Sequence, residues 1–398
     1  MIALLPLLTA LTTSPCAGVL TGVDRLSEAP YRQWLEGKKI GLITNHTGVN
    51  CRLEPTAKVV AALRGAKLIA LFAPEHGIRG RSQAEEKIQS SGIIYSLYGE
   101  TRAPTPEMLS QVEVLVFDLQ DVGARFYTYI STMLESMRAA AREEIPFVVL
   151  DRPNPITGTR VEGPILEKGF ESFVGSFSLP IRYGLTPGEL AGLLDSELQL
   201  QCHLKVVPLQ GWRREFWYDE TRLIWISPSP NISTLDTATL YPGFCLIEGT
   251  NLSEGRGTTR PFELVGAPWL DNERLVEGLN ALRLPGVAFR IQDFEPWFSK
   301  YRGEACHGVQ IHVLDRVAFR PLEAILHFLA GVIRLHPDEF RFQPFFDSLA
   351  GNSWIRQELK RGTGAAEIQS GWEAQLHRFR SLRGRFLLYS KNDVNSQP

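Results

Sequence analysis

Short, continuously apolar runs that each end in a polar loop set the strongest limit on how this chain folds. Lys39-Ile40-Gly41-Leu42-Ile43-Thr44 leads into Asn45-His46-Thr47-Gly48. Leu68 to Phe72 ends in Ala73-Pro74-Glu75-His76-Gly77-Ile78-Arg79-Gly80. Val112 to Phe117 ends in Asp118-Leu119-Gln120-Asp121-Val122-Gly123, and Phe147 to Leu150 ends in Asp151-Arg152-Pro153-Asn154-Pro155. Helical patterns, such as Thr56 to Arg64 and Tyr127 to Glu143, fall between them. Runs that do not alternate are strands covered on both faces, and strands alternating with helices predict βαβ units in a parallel sheet. Right-handed crossovers bring every strand's C-terminal end to one edge, where open α/β sheets bind ligands. The polar loops therefore converge, although they are far apart in sequence.

At 398 residues the chain is long enough for more than one core. A helix start is marked by Thr186 as N-cap before Pro187, and Leu204 to Leu209 reads as a fifth strand. Ser227 to Glu263 is rich in Pro, Gly, Ser and Thr and has little period, which predicts a long functional loop. Beyond it, helices near Asp271 to Leu282 and Pro321 to Leu335 flank strands at Val287 to Ile291 and Gly308 to Val313. The expected organisation is a Rossmann-like parallel-sheet domain over 21–260 and a smaller α+β auxiliary domain over 261–398. Residues 1–20 are set apart as a signal or disordered segment. Ile2 to Leu11 is apolar, but no Lys or Arg precedes it, so the N-terminus fits an extracytoplasmic or a cytoplasmic protein.

Composition narrows the function. A net charge of −2 without a basic run argues against nucleic acid, and no later stretch is apolar enough to span a bilayer. The five cysteines show no C-x-x-C spacing, and a disulfide framework is not expected in a chain that buries a large core. No G-x-G-x-x-G follows the first strand and no Walker motif occurs, so no dinucleotide or other cofactor is expected.

The loops hold the candidates for chemistry. Glu75 ends a buried strand, where shielding from water favours the protonated form that a general acid needs. Its structural alternative is a cap, or a pair with a neighbouring arginine. Asp118 and Asp121 offer a general base and its orienter, or a metal half-site, or simply a turn and a helix cap. His46 and His76 with the aspartates, including Asp151, are the only set with the chemistry of a metal site, but no H-E-x-x-H or H-x-H spacing supports one, so no metal is expected. Arg79, Arg125, Arg152, Arg256 and Arg260 suggest an anionic group on the ligand, because the guanidinium fork donates two parallel hydrogen bonds. Their other role is to neutralise nearby acids. Tyr127, Tyr129, Tyr183, Tyr241 and Trp269 are either sugar platforms or core.

Taken together, Gly41 to Gly48, Ala73 to Gly80, Phe117 to Tyr129, Leu150 to Pro155, and Glu248-Gly249-Thr250-Asn251 with Ser253 to Thr259 resemble the bacterial exo-β-N-acetylmuramidases of the NamZ type. The resemblance runs from about Gly22 to the C-terminus and is strongest before Trp269. It implies a glycoside hydrolase that releases N-acetylmuramic acid from the non-reducing end of peptidoglycan fragments (muropeptides, MurNAc-GlcNAc) during cell-wall recycling. It also implies a cleft between a Rossmann-like and an auxiliary domain, with a catalytic glutamate that maps onto Glu75. Glycoside hydrolysis needs a pair of carboxyl groups, and Asp118 or Asp121 is the expected partner. Asn45, His46, His76, Arg79, Arg125, Tyr127, Asp151, Arg152, Asn231, Glu248, Asn251, Glu254 and Arg256 are the expected substrate contacts, with Arg125 or Arg256 on the lactyl carboxylate. A metal-dependent hydrolase at the same edge and a non-catalytic peptidoglycan-binding protein are the competing readings.

Overall fold

The computed structural model describes residues 16–79, 93–99 and 101–389. Its centre is a six-stranded sheet of β1 (Lys39–Thr44), β2 (Lys67–Ala73), β3 (Ile93–Ser96), β4 (Val114–Asp118), β5 (Phe147–Leu150) and β8 (Leu204–Val207), in the order β3-β2-β1-β4-β5-β8. Every pairing in it is parallel. β6 (Glu162–Ile165) and β7 (Pro180–Arg182) form a separate antiparallel ribbon.

Period-2 alternation splits the strands into two cores. Ile43, Phe72, Leu115, Phe117, Phe147 and Val149 face α4 (Tyr129–Arg142) and α5 (Pro187–Glu197), whose Met133, Met137, Leu190 and Leu194 meet them. Ile40, Leu42, Val114, Val116, Val148 and Leu150 face Leu35 of α1 (Tyr31–Leu35) and Val60 of α2 (Thr56–Ala61). A short helix, α3 (Pro106–Leu109), precedes β4. This is the doubly covered α/β layer that the apolar runs predict.

The stretch expected to be one long loop contains a helix, α6 (Leu235–Phe244), capped by Thr234. It is buried along nearly its whole length, so it has no amphipathic period to read, and Pro242 sits inside it. The second sheet runs β10-β11-β9 and is antiparallel, with β9 at Leu264–Ala267, β10 at Val287–Ile291 and β11 at His307–Val313. α7 (Asn272–Ala281) covers its inner face, and α8 (Pro321–Leu335) packs on α7 and α6. The helices α9 (Phe345–Ala350), α10 (Trp354–Arg361) and α11 (Ala365–Arg383) follow among the described residues.

Two expectations at the N-terminus change. The apolar run Ile2 to Leu11 lies outside the described residues. Val19 and Leu20, however, belong to the folded domain: Val19 N donates to Thr221 O, and Leu20 bridges Gln210. Cys16 and Cys51 form a disulfide with Cα atoms 5.2 Å apart, whereas Cys202, Cys245 and Cys306 are free and buried. The cross-link ties Cys16 to the loop after β1 and does not replace a core. Among the described residues no helix is long and apolar enough to cross a membrane.

Candidate active site

The loop after β2 turns back sharply. Gly77 N donates to Pro74 O at 3.0 Å, and His76 and Gly77 both adopt left-handed backbone, with φ of 72° and 70°. Glycine takes that conformation freely, but a histidine there is uncommon and marks a loop held in place by its surroundings. Part of that hold is Thr128, the N-cap residue of α4, whose Oγ1 donates to Glu75 Oε2 at 2.6 Å. The Tyr98 phenol stands close to Glu75, and burial together with that carboxylate pushes its pKa up. Burial pulls the His76 imidazole down, with Arg256 and His46 adding to the effect and Glu75 opposing it. His76 is thus held toward its neutral form.

Glu75 and His76 line a cavity of about 530 Å³. Its walls come from both halves of the chain. The sheet domain supplies Tyr98, Arg102, Tyr127, Thr128, Phe173 and Asn231; the later half supplies Tyr241, Cys245, Glu248, Arg256, Phe262 and residues of α9. Tyr241 stands edge-on to Tyr127 and Phe262, with ring centroids 6.1 and 4.9 Å apart, so one wall is aromatic. A second carboxylate, Glu248, and two guanidinium groups also line the cavity, Arg256 stacking over the Phe262 ring at 5.4 Å.

Glu248 lies in the 3-10 turn Cys245–Gly249. Arg256 Nη2 donates to its Oε1 at 2.8 Å, and Arg256 Nε lies 3.3 Å from Glu254 Oε1. Lys300 completes the support: its Nζ is 3.0 Å from Glu254 Oε2 and donates to the carbonyls of Ile247, Glu248 and Leu252. Burial pushes the Glu248 carboxyl up, while Arg256 favours its ionised form. The other guanidinium, Arg102, is exposed at the cavity wall and stacks over Phe173 at 4.9 Å. No ion pair with a carboxylate joins it among the described residues.

Several residues expected at the site lie elsewhere. Asp118 is fully buried and is gripped by Arg152, with Nε to Oδ1 at 2.5 Å and Nη2 to Oδ2 at 2.9 Å; Thr56 also donates to it. Arg152 is consumed by the same pair and by Val49 O. Asp121 accepts from Gly123 N and the Tyr183 hydroxyl, and burial raises its pKa to about 6. Asp151 caps the start of α5 through Thr186 and Gly188. Arg125, expected on a ligand carboxylate, instead donates to the carbonyls of Pro164, Leu179 and Leu349. Asn45 donates to the Tyr129 hydroxyl, and His46 Nε2 lies 2.8 Å from Ser227 O. Asn251 binds the backbone of Glu339 and Arg341. Glu254 stands behind Arg256 and not at the cavity wall, and Arg79 is exposed at the described end of its loop. Among the described residues no three His, Cys, Asp or Glu side chains converge on a metal position. The aspartates proposed as ligands are committed to Arg152, to a turn and to a helix cap.

The expected set thus contracts to Glu75, His76, Tyr127, Asn231, Glu248 and Arg256. Sequence reasoning missed Tyr98, Arg102, Thr128 and Phe173. Thr128 carried a signal, since it stands before the helix that starts at Tyr129; Tyr98 and Arg102 lie in a stretch without period.

Two family models cover most of the chain. That for the N-terminal part of the exo-β-N-acetylmuramidase NamZ matches residues 40–236, and that for its C-terminal part matches residues 239–389. The peptidoglycan β-N-acetylmuramidase NamZ of Bacillus subtilis (strain 168) is 48% identical over 379 residues, covering 93% of this chain and 91% of that protein. Among solved structures, a DUF1343 family protein from Bacteroides fragilis NCTC 9343 is similar with a TM-score of 0.88 at 39% identity. A second such protein from the same strain has a TM-score of 0.78 at 31% identity; each alignment covers 94% of this chain and 99% of the other.

Proposed function

This chain belongs to the exo-β-N-acetylmuramidase NamZ family, and we propose that it removes N-acetylmuramic acid from the non-reducing ends of peptidoglycan fragments with Glu75 and Glu248 as its carboxyl pair. The observation that carries this reading is a single cavity, built from both halves of the chain, into which one carboxylate comes from each half.

Cleaving a glycosidic bond requires a proton on the leaving oxygen and negative charge beside the oxocarbenium-like centre. Glu75 supplies the proton. Thr128 fixes its orientation by donating to Oε2. Glu248 supplies the charge: burial pushes its carboxyl up, and the Arg256 guanidinium bonded to it opposes that by favouring the ionised form. The aromatic wall of Tyr127, Tyr241 and Phe262 packs against the sugar and excludes water, which strengthens both interactions. The lactyl carboxylate, which distinguishes muramic acid from glucosamine, binds Arg102. Arg256 already neutralises Glu248 and Glu254, and Arg125 is sealed among backbone carbonyls.

The chain divides within α6, ahead of residue 260, because α6 packs on α8 of the auxiliary half. The Cys16–Cys51 disulfide supports an extracytoplasmic, oxidising location.

The test is release of free N-acetylmuramic acid from a MurNAc-GlcNAc disaccharide, or of nitrophenol from the aryl β-glycoside of N-acetylmuramic acid. Glu75→Gln and Glu248→Gln each lower kcat per folded molecule by about 10²- to 10⁴-fold. Arg102→Gln raises KM and leaves kcat near wild type. Undiminished turnover in either glutamate variant removes that residue from the pair.

A further inference from the structure

We propose that the outer face of the auxiliary sheet is a second sugar-binding subsite, which holds the glycan strand beyond the sugar being cleaved. The inference rests on the muramidase reading for its ligand, but its geometry is independent of Glu75 and Glu248. Strand register places Arg290 opposite Gln310, and Gln310 opposite Leu264, in one row across β10, β11 and β9. Phe289, Ile311 and Val265 point the other way, into the core, so the row lies on the face that α7 leaves uncovered.

This face is a built surface. Arg290 is fixed by two amide oxygens: its Nε donates to Gln310 Oε1 at 2.9 Å and its Nη2 to Gln292 Oε1 at 2.6 Å. No carboxylate lies within ion-pair distance of it among the described residues, although Glu295 lines the same hollow, so its guanidinium is oriented by amides and not by an ion pair. Beside it the Phe294 ring lies against Gly266 and Gly308, where a Cβ on Gly308 would stand 2.7 Å from Phe294 Cδ1. Trp297 stands over the same hollow of about 590 Å³ and is 72% exposed. An exposed indole beside a polar, cationic floor matches a pyranose: the apolar sugar face stacks on the ring, while hydroxyl, acetamido and carboxylate groups meet the amides and the guanidinium.

The hollow adjoins the catalytic cavity through one loop. Arg256 lines the cavity, and the next residues, Gly257 to Arg260, line the hollow. Trp297 N donates to Gly257 O at 3.0 Å, which fixes the indole's backbone to that loop. Gly257 has φ of +84°, and a Cβ there would meet Phe298 O at 2.5 Å. Peptidoglycan alternates glucosamine and muramic acid, so a peptide-free strand whose terminal muramic acid occupies the cavity carries another carboxylate-bearing sugar two units on. Arg290 is suited to that carboxylate.

The test uses peptide-free glycan strands of four or more sugars with a muramic acid at the non-reducing end, and the aryl β-glycoside of N-acetylmuramic acid. Trp297→Ala and Arg290→Gln each raise KM for the strands by about two- to tenfold, with kcat unchanged and kinetics on the aryl glycoside unchanged. Calorimetry of the strands with the Glu75→Gln protein shows the same loss of affinity when Trp297→Ala is added. Unchanged strand kinetics and affinity in both variants overturn the subsite, as does an equal loss on both substrates. A wild-type protein that cleaves neither substrate, yet binds strands through Trp297, overturns the muramidase reading and leaves the subsite standing.

Discussion

Asp118 and Glu75 both stand at C-terminal ends of adjacent parts of one parallel sheet, yet they have opposite fates. Asp118 is sealed against Arg152 beneath the loops, at the β1/β4 point where the strand order reverses. Ligands of doubly wound sheets enter at such a reversal, but here the protein's own ion pair fills it. The cavity is displaced to the outer loop after β2, where Glu75 accepts from Thr128 instead of from a buried arginine fork like that on Asp118. Removing one partner of a buried pair leaves an uncompensated charge, so Arg152→Met destabilises the fold by about 3–5 kcal/mol in urea unfolding. Asp118→Asn also lowers stability but keeps near wild-type kcat per folded molecule. A large loss of kcat with unchanged stability in Asp118→Asn would return that residue to the catalytic list. The strand-end pattern read from the sequence brought both acids to one edge. It held no information on which arginine reaches which acid, because Asp118 and Arg152 meet only after β5 is laid beside β4.

At the scale of elements, legibility followed burial pattern. β1, β2, β4, β5 and β8 were readable because uninterrupted apolar runs have few other uses, and α5 was readable from its cap. The Thr186 and Glu189 side chains and backbones bond reciprocally, as the Thr-Pro-Gly-Glu spacing predicts. α6 was not readable, since a helix buried all round has no polar face, and the ribbon of β6 and β7 is too short to show a period. The cap of α5 carries a titration. Asp151 accepts from Gly188 N, Thr186 Oγ1 and the Tyr389 hydroxyl, yet burial raises its pKa from 3.8 to about 7. Its folded pKa lies above its unfolded one, so its stabilising contribution is full below 3.8 and is lost as pH rises through about 7. The stability advantage of wild type over Asp151→Asn therefore shrinks as pH rises across that window, measured by urea unfolding at several pH values. An advantage that grows with pH would show that the carboxylate, with its several donors, is preferentially stabilised in its charged form.

For the whole molecule, the disulfide connects the segment around Cys16 to the sheet's ligand edge. Cys51 sits in the loop after β1, where its N donates to Asp24 Oδ1 at 2.7 Å and the nearby Val49 O accepts from Arg152. Cys16 is thereby tied to the loops that close the reversal point, and the Val19–Leu20 segment is laid across Thr221 and Gln210. A cross-link of this loop length stabilises a fold by roughly 2–4 kcal/mol, chiefly through the unfolded chain. It does so only where thiols stay oxidised, so the bond bears on where the protein works. Alkylation in denaturant without reductant labels three thiols, Cys202, Cys245 and Cys306, and prior reduction raises the number to five. Cys16→Ser with Cys51→Ser lowers unfolding stability by that amount and leaves kcat on the aryl glycoside unchanged, because neither cysteine lines the catalytic cavity. Five labelled thiols without reductant, in protein recovered from an oxidising compartment, would sink both the cross-link and the location inferred from it. Three labelled thiols in protein recovered from that compartment would agree with the extracytoplasmic location proposed above.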